Sequence, residues 1–245
     1  MVPLSAAQLS DSIASGGHSC ERGQIDLWLL SASIDAEQRA FYDAVLSVEE
    51  RERARRFRFK RDQDRSTVGR GGLRWILSRY CVSDPTNLLF RLGSHGKPSL
   101  ISTSSPIEFS VSHAGECVLI AITRDAECGV DIERSHARIS DQDIADQFFC
   151  PREIEWMKHV ESGFLRLWTM KEALVKALGC GLSIPLNAID VVDIAEGTTS
   201  TFGLQMVALK PQTLWLRELE LLEGYAASVA AIGVDFNIRI VTDRI

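Results

Sequence analysis

A constant offset of 103 residues relates three separate stretches of this 245-residue chain, and it restricts the fold more than any single motif does. The strand-like IDLWLL at 25–30 shifts by 103 onto CGVDIE at 128–133. Ser47, a helix N-cap followed by Glu49 and Glu50, shifts onto Cys150, where CPREIEWM repeats the pattern of cap and acid. The helical stretch 65–74 shifts onto 168–177, and GECVLIAI (115–122) has a counterpart in GYAASVAAI (224–232) at a slightly different spacing. Self-similarity at one fixed spacing is the signature of a repeated structural unit. The expectation is an α+β chain of two similar α/β subdomains related by a pseudo-twofold axis and meeting near residues 122–128. The boundaries are a loose, small-residue arm at 1–22, a first subdomain at 23–125 and a second at 126–245. A cleft between two such halves is a favoured place for a ligand.

The elements between these anchors follow from local pattern. Ile34 to Leu46 has helical spacing, and the basic stretch from Ser47 leads through Gly71-Gly72 into LRWILSRYC, which stops at Asp84-Pro85. LLFRLGSHGKPSL is a strand running into a glycine-rich loop; FSVSH and CVLIAIT are strands joined by a tight turn at Ala114-Gly115. With 45% hydrophobic residues the chain can bury a sizeable core. There is no run of ~18 apolar residues to span a membrane, and MVPLSAAQLS lacks the pattern of a secretory signal. The six cysteines are scattered with no CxxC pair, which fits reduced thiols; a cytoplasmic protein is expected. A net charge of −6 argues against general nucleic-acid binding. Residues 51–74 nevertheless carry ten Lys or Arg against three acids, either a solvated helix face or an anion-binding surface.

Four stretches carry chemistry. In GVDIE (129–133), Asp131 and Glu133 are two apart on a strand and share a face, while Val130 and Ile132 anchor the other. Two carboxylates completed by water and phosphate oxygens suit Mg²⁺, although two solvated acids on a strand edge fit the same pattern. In LWTMKEALVKALGCG (167–181), Leu167, Met170, Leu174 and Leu178 form an apolar stripe, and Trp168, Glu172 and Lys176 a row beside it. Glu172 and Lys176 are then either an ordinary helical ion pair or a third metal carboxylate with a phosphate partner. Lys97 in GSHGKPSL (93–100) sits in a stiff loop able to hold a nucleotide or phosphate. Ser112-His113 ends a strand at a turn where a phosphate contact is feasible, and the remaining histidines lack zinc-ligand spacing.

In combination, GKP (96–98), FSVSH (109–113), GVDIE (129–133), QFFCPRE (147–153) and WTMKEALVKALG (168–179) resemble, in this order, the 4'-phosphopantetheinyl transferases. The internally duplicated length is similar to the monomeric, surfactin-synthetase-activating class rather than to the shorter, trimeric holo-acyl-carrier-protein synthases. The resemblance implies that the active site lies at the subdomain interface. It implies transfer of 4'-phosphopantetheine from coenzyme A to a serine of an apo acyl, peptidyl or polyketide carrier protein, releasing 3',5'-ADP. Asp131, Glu133 and Glu172 would bind Mg²⁺, with Mn²⁺ able to stand in, and Lys176 would contact the pyrophosphate. Ser112 and His113, with Arg53 and Ser66 from the basic helix, would face the 3'-phosphate, and Lys97 and Pro98 the adenine nucleotide. Glu172 and Lys176 would be the catalytic pair, Glu172 taking the serine proton. A monomer that binds neither membrane nor nucleic acid is implied.

The chain departs from the family pattern at Ser110 (usually Asn) and Ala114 (usually Ser or Thr), expected to alter loop contacts, and at Glu50, where a basic residue is expected. A two-metal nuclease would need a later Tyr-x-x-x-Asp or His-x-x-x-Asp, and Tyr225 has no acid in place. A decayed binding module would lack one of Asp131, Glu133, Glu172 or Lys176, and all four are present. For the carrier surface, Phe148, Phe149 and the segment 134–165 are candidates, with a core role for both phenylalanines equally open.

Overall fold

The computed structural model describes residues 18–101, 106–135, 141–206, 209–233 and 235–242. The first half runs β1 (Gln24–Ser31), α1 (Ala36–Val45), α2 (Val48–Arg55), α3 (Lys60–Cys81), the short pair β2 (Phe90–Leu92) and β3 (Pro98–Leu100), then β4 (Ile107–Ala114) and β5 (Cys117–Arg124). The second runs β6 (Cys128–Arg134), α4 (Asp141–Phe148), α5 (Pro151–Met157), α6 (Gly163–Leu178), α7 (Val192–Ala195), β7 (Thr201–Met206), β8 (Leu209–Leu219) and β9 (Tyr225–Ile232), and ends in β10 (Asn237–Val241). The chain is thus a mixed α+β fold. The offset reappears in the helices: α2 and α3 start at Val48 and Lys60, α5 and α6 at Pro151 and Gly163. Among the described residues no helix is long and apolar enough to cross a membrane.

Two four-stranded sheets form the middle, ordered β10-β1-β5-β4 and β6-β9-β8-β7. Alternation along each strand sends side chains to opposite faces. Val118, Ile120 and Ile122 of β5 face α3, packing with Leu73, Trp75 and Ile76. Leu119 and Ala121 face the other sheet, against Val130, Ile132 and Val229. The far side of the second sheet, with Leu214, Leu216 and Ala230, is covered by Leu167, Met170 and Leu174 of α6. Both faces of β5 are therefore covered, which is why CVLIAIT reads as one apolar run.

The sequence reading and the structure differ in four places. The basic stretch is two helices, parted at 56–59, because no side chain between Ala54 and Asp64 is buried and nothing holds a continuous helix to the core. Residues 1–17 of the expected arm lie outside the described residues, but Cys20 is buried and its carbonyl accepts from Arg124 Nε at 2.7 Å. Strand β10, from the segment assigned to the second subdomain, crosses to the first sheet and pairs in parallel with β1. There the buried Asp26 accepts from Arg239 Nε at 2.8 Å and from the Tyr80 hydroxyl at 2.7 Å. Ser110 and Ala114 stand within β4, not in a loop.

A buried ion pair organises the second half. The Lys171 ammonium lies 2.8 Å from Glu153 and donates to the carbonyls of Leu186 and Ile189, each at 2.7 Å; neither side chain is exposed at all. Glu153 also accepts from the backbone N–H of Cys150 at 2.8 Å and of Val191 at 3.1 Å. One carboxylate thus caps α5, holds α6 and anchors the 186–191 segment. Burial pulls the Lys171 ammonium below its usual pKa while the Glu153 charge opposes that shift. Removing one partner leaves an uncompensated buried charge, so Lys171→Met should cost about 3–5 kcal/mol in urea unfolding. The double variant Lys171→Met/Glu153→Leu should recover part of that loss; a single variant as stable as the parent would contradict the assignment.

Candidate active site

The site begins with a glycine. A Cβ at Gly129 would lie 2.0 Å from the Ala173 carbonyl oxygen and 2.4 Å from the Ala177 nitrogen, so only glycine lets β6 touch the backbone of α6. Alternation then turns Gly129, Asp131 and Glu133 toward α6, while Val130 and Ile132 are fully buried between the sheets. On α6, Glu172 and Lys176 occupy the half-buried row beside the core stripe, with Leu178 half-buried rather than buried. Phe148 and Phe149 join the same core: Phe149 is 2% exposed, and Phe148 meets Trp168 edge-on at 5.8 Å.

Asp131 is 4% exposed, and its two oxygens are treated differently. Oδ1 accepts from Lys176 Nζ at 2.6 Å and from the Ser112 hydroxyl at 2.7 Å. Lys176 Nζ also donates to Ser112 Oγ and to the Val130 carbonyl, both at 3.0 Å. Oδ2 is buried with no hydrogen-bond partner among the described residues. A buried carboxylate oxygen without a donor is costly unless something outside the chain satisfies it. Burial pushes Glu133 up to about 7, helped by the charges of Asp131 and Glu172 and opposed by Lys176. Glu172 is raised by burial and then by Asp131. Three acids lie together with Lys176 among them and the charge of Arg65 also acting on Glu133, and two of the three are still shifted upward. That donor set fits a hard divalent cation, which takes carboxylate oxygens.

Another group of ligand-type side chains lies closer together. Cys150, Glu153 and Asp190 have atoms all within 4.8 Å of one another. Glu153 is consumed by Lys171 and two backbone donors, and Asp190 pairs with Arg152 at 3.1 Å. Both acids are already held by donors within the chain, which supports a structural role for the cluster.

Two adjoining clefts lie nearby, and of the three acids only Glu172 lines one of them. One, of about 500 Å³, is lined by Arg53, Ser66 and His113, together with Phe57, Arg65 and Arg70, which sequence reasoning did not single out. The other, of about 370 Å³, is lined by Lys97, Pro98, Glu172 and Lys176. They share Gly96, Pro98 and Val111, so the β2–β3 hairpin forms a common wall. Lys97 turns toward β6, donating to Glu127 and, at 3.1 Å, to the Cys128 carbonyl. His95 Nε2 lies 3.1 Å from Ser183 Oγ, tying the hairpin loop to the turn after α6. Burial and the nearby charges of Arg65 and Lys176 hold His113 below its usual pKa. Glu50 closes the capping box of α2, accepting from the Ser47 N–H at 2.9 Å, and pairs with Arg74 at 2.6 Å and Arg70 at 3.0 Å. Its acidity at an expected basic position thus has a structural use.

Comparison with known proteins matches residues 127–230 to the model of the 4'-phosphopantetheinyl transferase superfamily and residues 35–125 to that of the 4'-phosphopantetheinyl transferase N-terminal region. The chain is 32% identical to the 4'-phosphopantetheinyl transferase HetI of Nostoc sp. over 74% of its own length and 78% of that protein. It is 33% identical to the transferase gsp of Aneurinibacillus migulanus, covering 81% of each. With Sfp of Bacillus subtilis it shares 28% identity over 83% of this chain and 89% of Sfp. The solved holo-[acyl-carrier-protein] synthase of Thermotoga maritima overlaps 43% of this chain and 62% of its own, at 15% identity and a TM-score of 0.29, too slight a likeness to argue from.

The raised Glu133 gives a pH signature. Folded Glu133 keeps its proton up to about 7, whereas the unfolded chain releases it near 4.5. Between those values the folded state binds more protons, so stability falls as pH rises through the window. Glu133→Gln should flatten that fall in cation-free protein, read as the difference in Tm between variant and parent across the window. Parallel pH profiles would refute the assignment.

Proposed function

Because the chain belongs to the 4'-phosphopantetheinyl transferase superfamily, we propose that it transfers 4'-phosphopantetheine from coenzyme A to a serine of an apo carrier protein, releasing 3',5'-ADP. The observation that carries the reading is the unpartnered, buried Oδ2 of Asp131 beside Glu133 and Glu172. These three carboxylates would hold Mg²⁺, or Mn²⁺ in its place. When bound, the ion would neutralise diphosphate charge and stabilise the charge that develops as the phosphoryl group moves.

The chain's own groups supply the rest. The carrier serine oxygen forms a bond to the β-phosphorus, and the bond from that phosphorus to the bridging oxygen breaks, leaving the electron pair on 3',5'-ADP. Lys176, half-buried beside Asp131, lines the cleft that would receive the diphosphate and would balance its negative charge. Glu172 lines the same cleft, and its raised pKa suits it to accept the serine proton. Arg53, Ser66 and His113 would receive the 3'-phosphate in the larger cleft, where Arg65 and Arg70 are paired with Asp62 and Glu50. Pro98, shared by both clefts, would lie along the nucleotide, with Lys97 at its edge. The first half thus contributes most of the nucleotide wall and the second the acids. This division supports two halves in pseudo-twofold relation with the active site between them, completed within one monomer.

The test incubates the protein with coenzyme A, Mg²⁺ and apo acyl carrier protein while following the carrier mass. A gain of one phosphopantetheine that EDTA abolishes is the expected result. Glu133→Ala should lower kcat/KM by at least ~10²-fold with the fold retained, the scale of losing one electrostatic stabiliser. Full turnover in that variant would remove the carboxylate from the site.

A further inference from the structure

We infer that Ser112, on the first half's β4, is a positioning residue for the metal carboxylate Asp131 rather than a contact to the nucleotide phosphate. The inference rests on the proposed transferase reading and deepens it. Family resemblance groups Ser112 with His113 at the 3'-phosphate. The two side chains, however, point to opposite faces of β4, as adjacent strand residues must. His113 lines the larger cleft, whereas Ser112 is 8% exposed and lines neither cleft.

The hydroxyl of Ser112 has a defined role in both directions. It donates to Asp131 Oδ1 at 2.7 Å and accepts from Lys176 Nζ at 3.0 Å. The lysine donates to the same Oδ1 at 2.6 Å and to the Val130 carbonyl at 3.0 Å. Both donors fall on one oxygen and leave Oδ2 without a partner among the described residues. Rotation of the carboxylate would break two hydrogen bonds, one of them charge-assisted, so Oδ2 is held as the free acceptor. Ser110, two residues earlier on the same face, accepts from the Val130 backbone N–H at 3.1 Å. Two serines of one sheet's edge strand thus fasten the edge strand of the other, and one of them sets the orientation of its acid. Outer hydrogen bonds of this kind commonly change metal affinity by about 10–100-fold.

The experiment titrates Mn²⁺ into the full chain without coenzyme A, by calorimetry or by electron paramagnetic resonance of the free ion, for parent, Ser112→Ala and Ser112→Thr. Affinities for coenzyme A and 3'-dephospho-coenzyme A are measured in parallel. The expected result is ~10–100-fold weaker Mn²⁺ binding in Ser112→Ala, recovery in Ser112→Thr, and an unchanged preference for the 3'-phosphate. Equal Mn²⁺ affinity in parent and Ser112→Ala would overturn the inference while leaving the transferase reading intact. So would selective loss of the 3'-phosphate preference. Parent protein that binds no Mn²⁺ would overturn the inference together with the metal site itself. Should Ser112→Ala fail to fold, Ser112→Cys supplies a weaker donor of similar size, and unaltered Mn²⁺ binding there is equally fatal.

Discussion

The contact of β6 with α6 at Gly129 is the constraint on which the rest of the site depends. The absent side chain lets the strand lie against the helix backbone, and this proximity brings Asp131 within 2.6 Å of Lys176. A methyl group there would meet the Ala173 carbonyl, which belongs to the helix ladder and cannot swing aside as a flexible side chain could. The helix would have to move as a body, taking Glu172 and Lys176 with it. The position therefore controls the geometry of the candidate site through packing, although glycine itself has no chemistry to offer.

That closeness sets up an electrostatic conflict. Asp131, Glu133 and Glu172 share one lysine, and burial denies them the water that would screen their repulsion. Glu133 answers by holding its proton to about 7. The contrast with the Lys171–Glu153 pair is instructive. There both oxygens of the acid and each proton of the ammonium meet a partner in the chain, so the pair fixes structure. At Asp131 one oxygen has none among the described residues. Two lysine–carboxylate pairs that share one helix thus do different work: the fully buried pair is satisfied within the chain, while the partly exposed one leaves a carboxylate oxygen without a partner among the described residues.

Most of this site was legible before any coordinates. Strand alternation placed Asp131 and Glu133 on one face, and helical spacing placed Glu172 and Lys176 in one row, because both periodicities are local properties of the backbone. The caps at Ser47 and Cys150 were legible for the same reason. What escaped was non-local. Nothing near Lys171 in the sequence announces Glu153, eighteen residues earlier on another helix; the acid was visible only as part of a capping pattern. Nor does any spacing reveal that Ser112 faces Asp131, since they belong to edge strands of different sheets. The break at 56–59 was missed because Arg and Lys, good helix formers, dominate the stretch, while Phe57 and Phe59 in the break are weaker ones and no buried face spans it.

The 103-residue offset also shows how one architecture accommodates two purposes. Moved back by that offset, Asp131, Glu133, Glu172 and Lys176 fall on Trp28, Leu30, Gly69 and Leu73, all buried between the first sheet and α3. Gly129 falls on Asp26, whose carboxylate is satisfied by Tyr80 and Arg239. The first half therefore fills with aromatic and aliphatic side chains the space that the second keeps polar. Glu153 falls on Glu50, and both close a capping box and pair with a cation on the following long helix. The shared scaffold function survives in both halves while the acids occur in one. A single set of carboxylates in the second half, beside a cleft lined by the first, gives the candidate site a direction that two identical halves would not provide.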